Sequence, residues 1–564
     1  MASDRQTPAG NGHRNRAGAG ISRRTFLVGG AAIGMTAAGL GSGAGFARPL
    51  PQARGGASAS AGELVPQDLA LVNGKIYTMD GSKRVVSRAL IQSGRFTAVG
   101  NNVAAPRGVK VVDLKGHTVV PGLIEAHDHI VLVGNRPGWH VLLEDVFTLQ
   151  DVVKRYQAKA AGIPPGEFIT TIGPVASMQF PEQRLPNLSE LDAVNRPVYI
   201  NAAQGGVRTN TPGKAWLESR GVTVAADGTI AGGAAGATGA TLALKLLREQ
   251  LLTPESRKRN SFEALSYYAG LGITTHLDNG AFHSDAPSGG VANENTYTMH
   301  NSFLALEAEQ RLPARLRFNY LHQDPPNDPT LPTLSQRLRN SFPFFGNDWM
   351  RSGGIGEFTG GGVNGLRAIA AAGWRAEDHT LNLASFQSLV ESREMVHAEI
   401  PITNLRWVIS HVPQVTPELV NRFKAIGGGL LVGWGPLRTG MNVGPAYRML
   451  FDNGIHLGYH SDGGDITVIN PWLNFYTMIT GRNLKGDVIN AGQTLTRAET
   501  LWLATAANKW FIEEDDLGSI EVGNHADVAV LDRDYFTVPD EEIKRIRSIL
   551  TIVGGKIVTD ARVL

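Results

Sequence analysis

Between residues 119 and 515, short apolar runs alternate with helical patterns, and this alternation limits the fold more than any other feature. The runs lie at 120–124, 168–172, 198–201, 273–277, 316–320, 407–410, 430–432 and 455–459. Continuous apolar runs of this length suit strands buried on both faces, and such strands belong to parallel sheets whose crossovers are helices. Helical patterns at 417–425 and 498–507 fit that scheme. The pattern predicts an α/β chain with a distorted (β/α)8 TIM-like barrel carrying insertions. A doubly wound open sheet is the alternative, but no Gly-rich phosphate fingerprint follows the first strand. No internal repeat at a fixed period is present.

The barrel region is flanked by strand-like segments. Residues 68–79 and 88–99 contain the turn signals Asn73-Gly74 and Ser93-Gly94, so each reads as a hairpin. Further strands are expected at 109–112 and 118–120, then at 527–531 and 549–558, the last with a Gly554-Gly555 turn. A lone hairpin is marginal in water, so pooling both ends into one small β-sandwich domain, 64–118 with 516–564, buries a larger face.

The first 47 residues read as an export signal. Ser22-Arg23-Arg24-Thr25-Phe26-Leu27 precedes an apolar, Gly/Ala-rich run at 28–40, and Gly45-Phe46-Ala47 has the small–bulky–small form of a cleavage site. The segment resembles the twin-arginine signal, which implies the twin-arginine translocation machinery as a partner and a periplasmic or extracellular destination. The run is shorter than the roughly 20 apolar residues a span requires, so no stable membrane span is expected. Residues 48–63, rich in Ala, Gly, Ser and Pro, read as a linker.

The formal charge of the whole chain is +2, and the first 47 residues carry five Arg against one Asp. The remainder is close to neutral, which gives no electrostatic footprint for nucleic acid. Nothing in the sequence sets an oligomeric state.

Cysteine is absent, so any metal must be held by His, Asp or Glu. Val119 to His129 is an apolar strand ending in His127-Asp128-His129. Residues two apart on a strand share a face, so both imidazoles can converge on one ion, while Asp128 points away. His379, His411 and Asp462 end later segments and occupy what could be equivalent strand-end positions, where active sites of this fold lie. His276, Asp278, His322 and His460 read as packing or strand-end hydrogen bonding.

The stretches PGLIEAHDH (121–129), GWRAEDH (373–379), RWVISH (406–411), HSD (460–462) and LGSIEVGNHADVAVLD (517–532) occur in this order. Together they resemble the amidohydrolase superfamily, in particular the branch containing N-substituted formamide deformylases. The resemblance implies one or two divalent ions, usually zinc. His127 and His129 match the first-strand ligands, His379 and His411 the histidines of the fifth and sixth strands, and Asp462 the last-strand aspartate. The group that bridges two ions in relatives is commonly a carboxylated Lys; no Lys stands in the corresponding region, and Glu357 is the candidate here. Where relatives often carry a Gly-His pair, this chain has Gln204-Gly205-Gly206-Val207, so their substrates cannot be copied to it.

The resulting expectation is an exported hydrolase of a small-molecule amide, imide or N-acyl compound, in which Asp462 moves the proton and His411 helps stabilise the oxyanion. A metal-dependent esterase or lactonase, and a catalytically inactive exported binding protein, are the competing expectations. Two insertions could shape a pocket: the polar loop 282–300, and 323–350 with Phe342, Phe344, Phe345 and Trp349, which serve a wall or a core equally well.

Overall fold

A computed structural model describes residues 64–232, 239–283, 290, 292–326, 328–433, 435–440 and 444–564. The expected signal segment and linker lie outside the described residues. No described helix is long and apolar enough to cross a membrane.

Eight strands carry the central architecture: β1 (Leu123–Asp128), β2 (Ile273–Asp278), β3 (Arg315–Tyr320), β4 (Met350–Ile355), β5 (Glu377–His379), β6 (Val408–Ser410), β7 (Gly429–Gly433) and β8 (His456–His460). A helix follows each strand before the next begins or, for β8, directly after it, such as Leu383–Glu399 after β5 and Pro417–Ala425 after β6. Local sequence sets these helices. Asn382 and Ser385 form a capping box on the first, and Thr416 caps the second with Pro417 in its first turn.

The eight strands do not form the one closed ladder that was expected. They form two four-stranded parallel sheets, β1–β2–β3–β4 and β5–β6–β7–β8. Isolated contacts join the two sheets. At one seam Ile355 bridges Ala376. At the other, Asp462 N–H donates to His127 O at 3.0 Å and His129 N–H to Gly463 O at 2.8 Å. Lower on that seam, Asn508 takes the place of the missing ladder. Its Nδ2 donates to Ile124 O and Tyr459 O, both at 2.7 Å, and its Oδ1 accepts from Tyr459 N–H at 2.9 Å.

Two apolar runs expected in the barrel belong elsewhere. Ile169–Ala176 and Val198–Gln204 are strands of a separate five-stranded sheet, together with Trp139–His140, Val207–Thr209 and Thr229–Ile230. That sheet is parallel through its first three strands and antiparallel at its hairpin, with apolar clusters of its own. Their places among the eight are taken by β4 and β5.

The two ends of the described chain share a sheet. Val528–Leu531 pairs antiparallel with Thr118–Pro121 on one side and with Ser548–Val553 on the other. Alternation along this strand gives it two functions. Val528 and Val530 pack into a cluster with Leu69, Ile76 and Ile91, whereas Ala529 and Leu531 face the core around β1 to β8. The 88–99 hairpin forms as expected, with Ser93 and Gly94 both at positive φ (50° and 77°). The 68–79 segment does not form a hairpin: Leu69–Val72 joins a four-stranded sheet and Lys75–Tyr77 the six-stranded one. The apolar stretch running into His127 is likewise two strands, divided at Gly122. A Cβ there would sit 2.1 Å from Thr274 Oγ1, so only glycine lets the backbone pass so close.

Candidate metal centre

The C-terminal ends of the eight strands bring the expected residues together. His127 lies in β1 with His129 just beyond it, Glu357 follows β4, His379 ends β5, His411 follows β6 and Asp462 follows β8. One ligand atom from each of His127, Glu357, His411 and Asp462 lies within 4.8 Å of the others, and all four residues are buried. His129 and His379 complete the ring around them.

Glu357 is the centre of the arrangement. Its Oε2 lies 3.1 Å from His129 Nε2 and 3.9 Å from His127 Nε2. Its Oε1 contacts His379 Nδ1 and lies 3.8 Å from His411 Nε2. One carboxylate thus faces two imidazole pairs. Asp462 spans the same gap from the other side: Oδ1 is 3.3 Å from both His127 Nε2 and His129 Nε2, and Oδ2 is 3.8 Å from His411 Nε2.

The outward-facing ring nitrogens of His127 and His129 are held. His129 Nδ1 donates to Gly280 O at 2.8 Å, and His127 Nδ1 to Glu377 Oε1 at 2.6 Å. In both rings Nε2 is turned to the centre. His127 Nε2 and Glu357 Oε2 are buried and make no hydrogen bond.

Charge is tightly balanced here. Burial pushes His127 down, but Glu377, Asp462 and Glu357 outweigh it and raise its pKa to about 10. His129 is likewise raised against burial by Asp462 and Glu357. Burial would lift Glu357 and Asp462, yet the surrounding imidazoles hold both carboxylates well below their usual range. Two buried carboxylates among five imidazoles (His460 is the fifth) call for positive charge, which protons or a cation can supply. The distances suit a cation. Two ligands of a tetrahedral ion with bonds of about 2.0–2.1 Å lie about 3.3 Å apart, close to the His127–Asp462, His129–Asp462 and His129–Glu357 separations.

Other expected polar residues stay outside the ring. His276 Nδ1 meets Asp128 Oδ2 at 2.5 Å, and His300 Nε2 meets Asp278 Oδ2 at 2.7 Å. His322 Nδ1 is bound to Thr333 Oγ1 at 2.9 Å. His460 is closer, its ring 5.2 Å from that of His127 and 4.8 Å from that of His411. Burial together with those two rings holds its pKa well below the usual value, so it is neutral.

A model of the amidohydrolase family matches residues 110–559. The chain belongs to that family. Among its relatives, an N-substituted formamide deformylase of Arthrobacter pascens is 32% identical over 141 residues, 24% of this chain and 26% of that one. A 5-methylthioadenosine/S-adenosylhomocysteine deaminase of Pyrococcus furiosus is 39% identical over 88 residues, 16% and 20% of the two chains. The matches thus span about a quarter or less of these relatives. Among solved structures, an uncharacterised metal-dependent hydrolase from Pyrococcus furiosus is 20% identical with a TM-score of 0.53, over 83% of this chain and 100% of that one. An atrazine chlorohydrolase from Arthrobacter aurescens complexed with zinc is 16% identical with a TM-score of 0.52, over 87% and 95%. These structural likenesses establish a TIM-barrel-like α/β fold.

In this amidohydrolase a cleft of about 340 Å³ opens beside His379, walled by Phe358, Leu381 and Leu389. The ring of Phe358 packs against His379 at 4.5 Å and against Phe282 at 5.4 Å. The aromatics considered for a pocket wall are not there. Phe342 and Phe345 are about 60% exposed and pack on each other, and Phe345 O accepts from Ser352 N–H near the start of β4, the end away from Glu357. Trp349 lies under Arg315 and Lys556. Sequence reasoning passed over Glu377 and Glu125, although both stand inside quoted motifs. Glu125 is fully buried, and its Oε1 accepts from Ser461 N–H at 2.9 Å across the β1–β8 seam.

Proposed function

We propose that this chain is an exported, metal-dependent amidohydrolase that cleaves a non-peptide carbon–nitrogen bond in a small amide, imide or N-acyl compound. One observation carries the reading: the Glu357 carboxylate turns one oxygen to His127 and His129 and the other to His379 and His411, with Asp462 closing the ring. Five potential ligands surround this one carboxylate, so Glu357 with His127, His129, His379, His411 and Asp462 would hold one or two divalent ions. Zinc is the first candidate, in keeping with a nitrogen- and oxygen-only donor set and with the zinc-bound atrazine chlorohydrolase of like fold.

A divalent cation at this centre supplies Lewis acidity and water that ionises near neutral pH. Asp462 accepts the proton of the attacking water and returns it to the leaving nitrogen, acting as base and then acid. His411 faces the same space from β6 and helps offset charge on the tetrahedral oxygen. The cleft beside His379 takes the substrate's apolar substituent against Phe358 and Leu381. The similarity to a formamide deformylase makes N-formyl and N-acyl amines the first compounds to try.

Export rests on Ser22-Arg23-Arg24-Thr25-Phe26-Leu27 and the apolar run after it. That route carries folded cargo, which suits a centre loaded with metal before transport.

The test is elemental analysis of the purified protein followed by a screen of paired amides and esters. One or two tightly held divalent ions and hydrolysis of an amide, abolished by chelation and restored by zinc, are expected. Full amide hydrolysis after verified metal removal overturns the mechanism, and hydrolysis of esters alone overturns the bond assignment.

A further inference from the structure

Resting on the metal reading above, we infer that Glu377 is a positioning residue: braced by Arg375 and Asn319, it locks His127 with a proton on Nδ1 and the Nε2 lone pair on the metal centre. Glu377 and His379 stand two apart on β5 and so share its inward face. One short strand supplies a candidate ligand and the support for a ligand on another strand.

Both oxygens of the fully buried Glu377 are taken. Oε1 accepts from His127 Nδ1 at 2.6 Å, and Oε2 accepts from Arg375 at 2.7 Å and Asn319 Nδ2 at 3.1 Å. Arg375 also donates to Asn319 Oδ1 at 3.3 Å, and Asn319 donates to Asn279 Oδ1 at 2.7 Å. With no oxygen to spare and a guanidinium neutralising it, Glu377 is a support and not a ligand. The two histidines of the His-x-His pair are therefore braced unequally. His129 leans on an uncharged carbonyl, that of Gly280, while His127 leans on a carboxylate. A charged acceptor on the far nitrogen fixes the tautomer and strengthens the near nitrogen as a donor to metal.

The test is zinc affinity of the full chain, measured by chelator competition, for wild type, Glu377→Gln and Glu377→Asp, each also in a His127→Asn background. Glu377→Gln is expected to weaken zinc binding about 10–100-fold while reaching wild-type stoichiometry at saturation, with Glu377→Asp recovering part of the loss. In the His127→Asn background the same change is expected to cost less than about twofold, because the support acts through His127. Wild-type affinity in a folded Glu377→Gln protein overturns the inference, and so does an equal loss with and without His127. Should Glu377→Gln not fold, Asn319→Ala keeps the carboxylate and its arginine. A loss of about fivefold that vanishes without His127 supports the support role, and unchanged affinity overturns it. A wild-type protein that binds no zinc fails the metal reading itself, whereas zinc-binding wild type with an unaffected variant fails this inference alone.

Discussion

Asp462 is tied to His127 twice, by its backbone N–H on the His127 carbonyl at 3.0 Å and by its carboxylate 3.3 Å from His127 Nε2. The residue assigned to proton transfer thus also fastens β8 to β1, so its side chain is placed by main-chain geometry that a substitution leaves in place.

Asp462→Asn should therefore fold and lose activity. The expected drop in kcat is at least about a hundredfold, the scale of general acid–base catalysis. Steady-state kinetics on any amide substrate, with circular dichroism as the folding control, checks this. Turnover near wild type would take Asp462 out of the role.

Metal uptake should release protons. In the ion-free protein Glu377, Asp462 and Glu357 outweigh burial and raise the His127 pKa to about 10, so at neutral pH the ring is protonated and must lose that proton to bind a cation. The sign follows: zinc affinity rises with pH across the neutral range and falls in acid. The same raised value makes this imidazole's contribution to ion-free stability complete below about pH 6.5 and lost as pH climbs towards 10. Calorimetry of zinc binding in two buffers of different ionisation enthalpy counts the protons; a count of zero would contradict the charge balance described here.

Asn508→Ala should destabilise the fold. It would leave the carbonyls of Ile124 and Tyr459 and the amide of Tyr459 buried without partners. A loss on the order of 3 kcal/mol is expected from stranding such groups. The midpoint of denaturant unfolding measures it, and a shift within error would mean water or relaxation replaces the side chain at no cost.

Leu381 is half exposed at the cleft beside His379 and can be changed without opening the core. Leu381→Asp should raise KM about tenfold for N-acyl substrates with bulky apolar substituents, with kcat little altered and N-formyl compounds of small amines unaffected. Equal effects on both substrate types would place the apolar substituent elsewhere.

Replacing Arg23 and Arg24 together by Lys should keep the protein in the cytoplasm, whereas the proposed export should bring the unaltered chain outside it. Cell fractionation with antibody detection reads the outcome directly. Export undiminished in the double variant would remove the twin-arginine assignment.

What the sequence revealed follows from what leaves a pattern. His127 and His129 were legible because alternation on a strand puts both on one face, and Gly554-Gly555 because positive φ selects glycine. β4 and β5 were illegible as strands. Met350–Ile355 is half Gly and Ser, and Glu377–His379 is three polar residues, of which the buried Glu377 is held by ion pairs instead of apolar contacts. The runs at 168–172 and 198–201 have the same apolar signature as the central strands because their own sheet is just as deeply buried. Periodicity reports burial and not which sheet a strand enters. Glu377 could not be singled out, since its acceptor role depends on His127 from β1, Asn319 from β3 and Arg375 from the segment leading into β5.

The pairing of Val528–Leu531 with Thr118–Pro121 has a kinetic consequence. During synthesis the earlier strand emerges long before its partner, and its edge waits unpaired while nearly all of the central architecture is made. Closing so long a loop costs little extra free energy, because closure entropy grows only logarithmically with length. It does slow the encounter. Assembly of this sheet is thereby postponed until Val528–Leu531 has been made, and a chain cut short before that strand would carry an exposed β edge, prone to aggregation.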